Sequence, residues 1–311
     1  MKLNFLIQKI NDKQWRKHNI RYWFKDPFWG ALDYLTHYSL RYLPITTNAK
    51  VGQFLGPFAA KYRFKAADQR VKNNLAILRP DLDRSERETI CHKMWQNIAQ
   101  SMCEYSLLDK LINEAQVRVE NRHYVEEAAR KKQAVIFVSA HTGNWELRSK
   151  DLINLGFNPR FLYKPVRNRF ALKIAINART RMMDKSHLLE ASPYAMRKMC
   201  EHLANNHALW IAIDEYKDSQ VLFPRLGRDL PIENTNVSYV VRLAQRYDAT
   251  IIPIWTKREQ DLSFSIKVSK PFKVAKGEQE KQQALVKLDH LLEEWVMENL
   301  EQWYMLHQLR L

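Results

Sequence analysis

The stretch AVIFVSAHTGNWELRSK, Ala134 to Lys150, decides how the rest of the chain is read. Its first seven residues are an apolar run of strand length without alternation, the pattern of a strand buried on both faces. The run ends on His141, followed by a small-residue turn in which Gly143 permits tight backbone geometry. A helix is expected to begin near Asn144 to Glu146. In open α/β sheets ligands collect beyond the carboxyl ends of the strands. A histidine at such an end, with a carboxylate five residues on, can form a general-base pair in which the carboxylate orients the imidazole and balances the charge it acquires. Neither Ser139 nor Thr142 has the GxSxG setting of an exposed nucleophile, so direct attack by a substrate hydroxyl is the simpler chemistry.

Working outward, the same alternation recurs. SERETICHKMWQNIAQSMCEYSLLD (Ser85 to Asp109) opens with Ser85 and Glu88 as a capping box and repeats apolar residues at helical spacing. A second helix is expected around His123 to Lys132. Ser192 and Pro193 read as an N-cap and first-turn proline before AMRKMCEHLANN, and ALWIAID as another buried strand. VSYVVRLAQRY reads as helix, TIIPIW as strand, LSFSIKV as an alternating edge strand, and QQALVKLDHLLEEWVMENL as an amphipathic helix packed back on the sheet. The expected fold is α/β: a mixed, mostly parallel sheet flanked by helices on both faces, with an N-terminal amphipathic helical membrane-associating segment.

Composition narrows the partners. Lys and Arg number 50 against 34 Asp and Glu, a formal net charge of +16. An acidic partner follows: nucleic acid, an anionic membrane, a phosphorylated substrate or an acidic carrier protein. With 9 Trp, 13 Tyr and 13 Phe beside that charge, a membrane surface fits best. Residues 1–60 mix Trp15, Trp23, Phe24, Phe28 and Trp29 with Lys and Arg as a basic interfacial helix does. The alternative for them is a helical hairpin packed on the main domain. FWGALDYLTHYSLRYLP, with its Asp33, His37 and Arg41, falls short of the roughly 20 apolar residues a spanning helix needs. It is expected to lie on a membrane. Residues 61–311 are expected to form a single domain. Three cysteines without metal-like spacing, and dispersed histidines, point to neither a disulfide framework nor a metal. The basic residues are spread along the chain without a nucleic-acid motif, and no nucleic acid is expected.

HTGNWE resembles the HX4D/E motif of the glycerolipid and lysophospholipid acyltransferases. The other blocks resemble, in order, the bacterial lipid A late acyltransferase branch of that superfamily, the lauroyl and myristoyl transferases. KNNLAILRPDL (Lys72 to Leu82), YKPVRN (Tyr163 to Asn168), the pair Arg179 and Arg181, ALWIAIDEY ending near Asp214, FPRLG with Thr235, and EQWYMLH (Glu301 to His307) are each similar to a block of the family. Lys164 and Ile213 depart from it, standing where the family has Arg and Pro.

The resemblance implies transfer of a C12–C14 class acyl chain from an acyl carrier protein thioester, with acyl-CoA as the alternative donor, to a hydroxyl of a lipid A precursor. The place implied is the cytoplasmic face of the bacterial inner membrane, peripheral or N-terminally anchored; anionic lipids as neighbours, a monomer and no cofactor are the expectations that go with it. His141 would be the base and Glu146 its partner. Asn144, Arg179 and Arg181 are candidates for oxyanion or phosphate contacts, and Tyr163, Lys164 and Asn168 for the acceptor site. Asp214 is a candidate beside them as catalytic support; on local pattern, Arg179 and Arg181 read equally as a solvated helix face, and Asp214 as a helix cap or a partner for one of those arginines. A lysophospholipid, glycolipid or polyene lipid is the alternative acceptor. A non-catalytic basic protein is the reading outside enzymes.

Overall fold

The computed structural model describes residues 12–147, 152–260 and 262–311. The strands are β1 (Gln116–Glu120), β2 (Val135–Ser139), β3 (Pro159–Tyr163), β4 (Leu188–Glu190), β5 (Ala208–Ala212), a small hairpin β6 (Tyr216–Lys217) and β7 (Gln220–Val221), β8 (Thr250–Arg258) and β9 (Ser263–Val268). Seven of them form one sheet in the order β1-β9-β8-β2-β5-β3-β4. All neighbours run parallel except β8 and β9. The expected mixed, mostly parallel α/β sheet is what the chain forms. LSFSIKV is not the edge, however: β1 pairs outside it, and its alternation marks one strongly buried face.

Successive residues of a strand face opposite sides, and β2 shows why an unbroken apolar run was needed. Ile136 and Val138 join one apolar cluster, while Val135 and Phe137 join another on the opposite face. β5 does the same with Leu209 and Ile211 against Ala208 and Trp210.

The helices are α1 (Lys13–Ile20), α2 (Asp26–Arg41), α3 (Ile45–Tyr62), α4 (Lys65–Leu78), α5 (Arg84–Glu104), α6 (Leu108–Glu114), α7 (His123–Lys131), α8 (Arg169–Thr180), α9 (Ala195–Ala204), α10 (Asn236–Tyr247) and α11 (Glu278–Glu298). α10 and α11 cover the first face through Val240, Val241, Leu288 and Leu292. α7 covers the second through Val125 and Ala128.

Two helix starts differ from expectation for a local reason. α5 is capped by Asp83, whose side chain accepts from the Glu86 N–H while Glu86 accepts from the Asp83 N–H, two residues ahead of the box expected at Ser85 and Glu88. An aspartate competes well for an N-cap. α9 begins at Ala195 after Tyr194, not at Ser192.

A π-helical turn, Arg21–Lys25, joins α1 to α2. α2 lies against α8 so closely that a Cβ on Gly30 would stand 2.6 Å from the Phe170 ring. α3 approaches α5 equally closely, since a Cβ on Gly52 would meet the Gln100 Cα at 2.5 Å. Residue 60, the end of the segment set apart on sequence, lies within α3, and Ala60 is buried. Among the described residues no helix is long and apolar enough to cross a membrane.

Candidate active site

Register places the site. Ser139 at the end of β2 pairs with Ala212 at the end of β5, so His141 and Asp214 each stand two residues beyond a paired strand end on the carboxyl edge. The Asp214 carboxylate accepts the His141 backbone N–H at 2.8 Å and lies 2.7 Å from His141 Nδ1. It also accepts from the Trp303 indole at 3.1 Å. A carboxylate facing three donors is an acceptor only, so Nδ1 carries the proton and Nε2 keeps its lone pair. The His141 side chain is 26% exposed while Asp214 is fully buried. A fixed ring with one open basic nitrogen results.

The turn after His141 is held from three sides. Thr142 donates to the Thr256 carbonyl at 2.7 Å and accepts from the Trp295 indole at 2.9 Å. Gly143 has φ +57°, and a Cβ there would press within 3.0 Å of the β8 backbone. Asn144 accepts from the Glu146 N–H through its side-chain oxygen at 3.2 Å. That bond makes residues 145–147 a turn where a helix start was expected; residues 148–151 lie outside the described residues.

The Asn144 amide nitrogen, an expected oxyanion donor, points into the core at Glu104, 2.9 Å away. Glu104 in turn forms a two-pronged pair with Arg258 at 2.7 Å on both oxygens. Asn144 thus carries the loop, held by a buried ion pair.

Glu146 was expected to orient the imidazole. The ring's Nδ1 partner is Asp214. Glu146 sits nearby and feels the His141 charge, but its carboxylate is gripped by Arg179, at 2.5 and 3.0 Å, and by the Tyr105 hydroxyl at 3.2 Å. Burial works against its charged form, yet Arg179, Tyr105 and His141 outweigh that and hold the carboxyl below its usual value. Arg179 is held charged by Glu146 against its own burial, and Tyr105, desolvated beside that carboxylate, is pushed far above the ordinary phenol value.

Of the other expected residues, Arg181 lies 3.7 Å from Asp109 and 3.4 Å from His37 Nε2, away from the carboxylate that Arg179 grips. Burial and the neighbouring arginines lower His37. Asn168 caps α8 and donates to the Asp26 carbonyl at 3.1 Å, tying α2 to α8. Lys164 is exposed and shares an electrostatic contact with Glu215. Tyr163 approaches the Arg179 guanidinium at 5.7 Å.

Glu104, Tyr105, Arg258, Trp303 and Tyr304 complete the site and were missed as site residues. Tyr304 donates its backbone N–H to the His141 carbonyl at 2.9 Å and packs edge-on to Trp145. Trp303 and Tyr304 had a signal in EQWYMLH, which local pattern left without a role; Glu104, Tyr105 and Arg258 had none. Among the described residues no cluster of three or more His, Cys, Asp or Glu side chains could hold a metal.

The profile of the bacterial lipid A biosynthesis acyltransferase family matches residues 12–310. No curated protein matches the sequence. The solved structure of the 1-acyl-sn-glycerophosphate (LPA) acyltransferase PlsC from Thermotoga maritima is similar at 13% identity and a TM-score of 0.36, over 81% of this chain and 98% of that chain. Nearly the whole chain answers to one profile, and the protein belongs to the bacterial lipid A biosynthesis acyltransferase family.

Proposed function

We propose that the protein transfers a C12–C14 class fatty acyl chain from an acyl carrier protein thioester, or from acyl-CoA, to a hydroxyl of a lipid A precursor, with His141 as general base. The observation that carries this reading is the His141 Nδ1 bond to buried Asp214, which leaves Nε2 as the open base at the sheet's carboxyl edge. Nε2 takes the acceptor hydroxyl proton as its oxygen attacks the thioester carbonyl. Asp214 stabilises the imidazolium. Collapse of the tetrahedral adduct expels the thiolate, which recovers the proton from Nε2. Glu146, kept ionised by Arg179, adds a negative field beside the imidazolium. Neither metal nor cofactor enters these steps.

The site works at the cytoplasmic face of the inner membrane, as a monomer. Exposed Trp23, Phe24, Phe28, Trp29 and Leu35 on the π-helical turn and α2, and Phe54 and Phe58 on α3, lie among lysines and arginines and suit an anionic lipid surface. The +16 charge steers both that surface and an acidic carrier.

The test is acylation by the purified full chain on vesicles, read by mass spectrometry of the product lipids. Acyl transfer to a lipid A precursor, lost in His141→Ala, is expected. Acylation of lysophosphatidic acid without acylation of the lipid A precursor would sink the acceptor assignment.

A further inference from the structure

A cavity of about 680 Å³ opens beside the site, between β3, β4 and α9. Its wall runs from Tyr163 and Glu190 at the carboxyl ends of β3 and β4 to Asn158 and His207 before the start of β3 and β5. At about 3.3 Å per residue the five steps from Asn158 to Tyr163 cover roughly 16 Å. One end lies one side chain away from the active site: the Tyr163 ring, which lines the cavity, is 5.7 Å from the guanidinium of Arg179, the partner of Glu146.

The wall is charged in a way the fold itself does not explain. Arg160, Lys185 and Lys198 all line it, and none makes an ion pair among the described residues. Of the two carboxylates in the wall, Glu201 is bound to Arg197 at 2.8 Å, and Glu190 accepts from the Tyr163 hydroxyl at 3.4 Å. The nearby Asp184 carboxylate accepts the Ser186 N–H. The buried His202 ring donates to the Asn158 carbonyl at 2.7 Å and lies 4.7 Å from the His207 ring. Burial pushes His202 down to about 4, and the positive fields of His207, Arg160 and His187 add to the fall. Three cations that form no direct ion pair, with Asp184 near Arg160 and Glu190 as the carboxylates left to them, leave a positive excess around a concave space that suits an anion. Guanidinium and ammonium together suit phosphate, the first through paired N–H bonds and the second as a point charge. The volume suits a polar headgroup far larger than one ion.

We propose that this cavity is a phosphate-ester subsite, holding the phosphorylated polar part of one substrate while that substrate's reacting group lies at His141. The ligand's identity rests on the acyltransferase reading. Two sources share the chemistry: a sugar phosphate on the acceptor, or the phosphodiester of a pantetheine arm on the donor.

Calorimetry of inorganic pyrophosphate binding to the full chain tests the cavity without any need for activity. The unmodified protein is expected to bind. The triple variant Arg160→Gln/Lys185→Gln/Lys198→Gln is expected to bind at least about tenfold more weakly, as loss of charged hydrogen bonds predicts. A charge-matched variant away from the cavity, Arg84→Gln/Arg118→Gln/Lys131→Gln, is expected to bind as the unmodified chain does. No binding by the unmodified protein, or an equal loss in the charge-matched variant, overturns the proposal. Should the cavity triple not fold, Lys198→Gln, at an exposed position of α9, carries the same test with about a threefold loss.

KM values then separate the sources. A rise for a phosphorylated acceptor and not for its dephosphorylated form assigns the acceptor phosphate. A rise for a full donor thioester and not for an acyl-pantetheine lacking phosphate assigns the donor. Unchanged KM values for both substrates overturn the subsite. If the unmodified chain transfers no acyl group while pyrophosphate binding follows the cavity variants, the acyltransferase reading fails and the anion site stands.

Discussion

Two buried glutamate–arginine pairs among the described residues differ in approach and surroundings: Arg258 meets Glu104 end-on through both terminal nitrogens, and Arg179 meets Glu146 side-on through Nε and one terminal nitrogen. Glu104 and Arg258 are 0% and 8% exposed, and their remaining bonds go inward to Gln100, Ser101 and Asn144. Glu146 and Arg179 are 9% and 20% exposed and border on His141 and two tyrosine rings. A pair closed on itself spends its charge on holding α5, β8 and the loop after His141 in register. A pair beside His141 lays its field on the ring proposed as the base. Chemical type alone therefore does not assign a carboxylate its work; the destination of its second oxygen does.

That contrast can be broken experimentally, beginning with the ring both pairs serve. His141→Ala should lower the acyl-transfer rate about 10³–10⁴-fold with an unchanged melting temperature. Turnover within a few-fold of the original would remove the base from His141. Asp214→Asn comes next: an amide can donate to Nδ1, which turns the ring so that Nε2 carries the proton, and kcat should fall about 10²–10⁴-fold while circular dichroism stays the same.

Glu104→Ala leaves Arg258 buried and alone, and should cost about 3–5 kcal/mol in chemical denaturation. A double change to Glu104→Met/Arg258→Leu should recover most of that stability, because a closed pair is replaceable by apolar packing of similar volume. Glu146→Gln should act in the reverse sense, lowering kcat about tenfold by removing the field beside the imidazolium. Equal loss of kcat per folded molecule in Glu104→Gln and Glu146→Gln would erase the distinction between the pairs.

The smallest effect is on pH. Glu146 has its folded pKa depressed, so its contribution to stability is fully present above the unfolded value near 4.5 and is lost as pH falls through the lower folded value. The stability gap between the unmodified protein and Glu146→Gln should be flat at neutral pH and narrow only below that point, as a denaturation series would record.

Much of this was legible in the sequence. The apolar run before His141 announced a strand buried on both faces, and the alternation of helix with strand announced the sheet, because both depend on spacing within one element. The Asp214 contact was not legible. Asp214 lies 73 residues from His141, and only the pairing of β2 with β5 makes them neighbours. Glu146, five residues away, drew the orienting role because sequence proximity was the only measure of distance at hand. Arg258 and Glu104, 154 residues apart, carried no joint signal. The Asp83 cap shows the same limit on a smaller scale, where two acceptable caps within three residues, Asp83 and Ser85, compete and only the backbone path chooses.

Trp303 and Tyr304 give the site a timetable. A chain emerging from the ribosome completes β9 at Val268 and with it every strand of the sheet, yet Asp214 still lacks its indole donor and the His141 carbonyl its amide partner. Residues 303 and 304 leave the ribosome after every strand has been made, so the contacts that brace His141 are completed last. A chain still on the ribosome would therefore carry an unbraced imidazole on a sheet that already has all its strands.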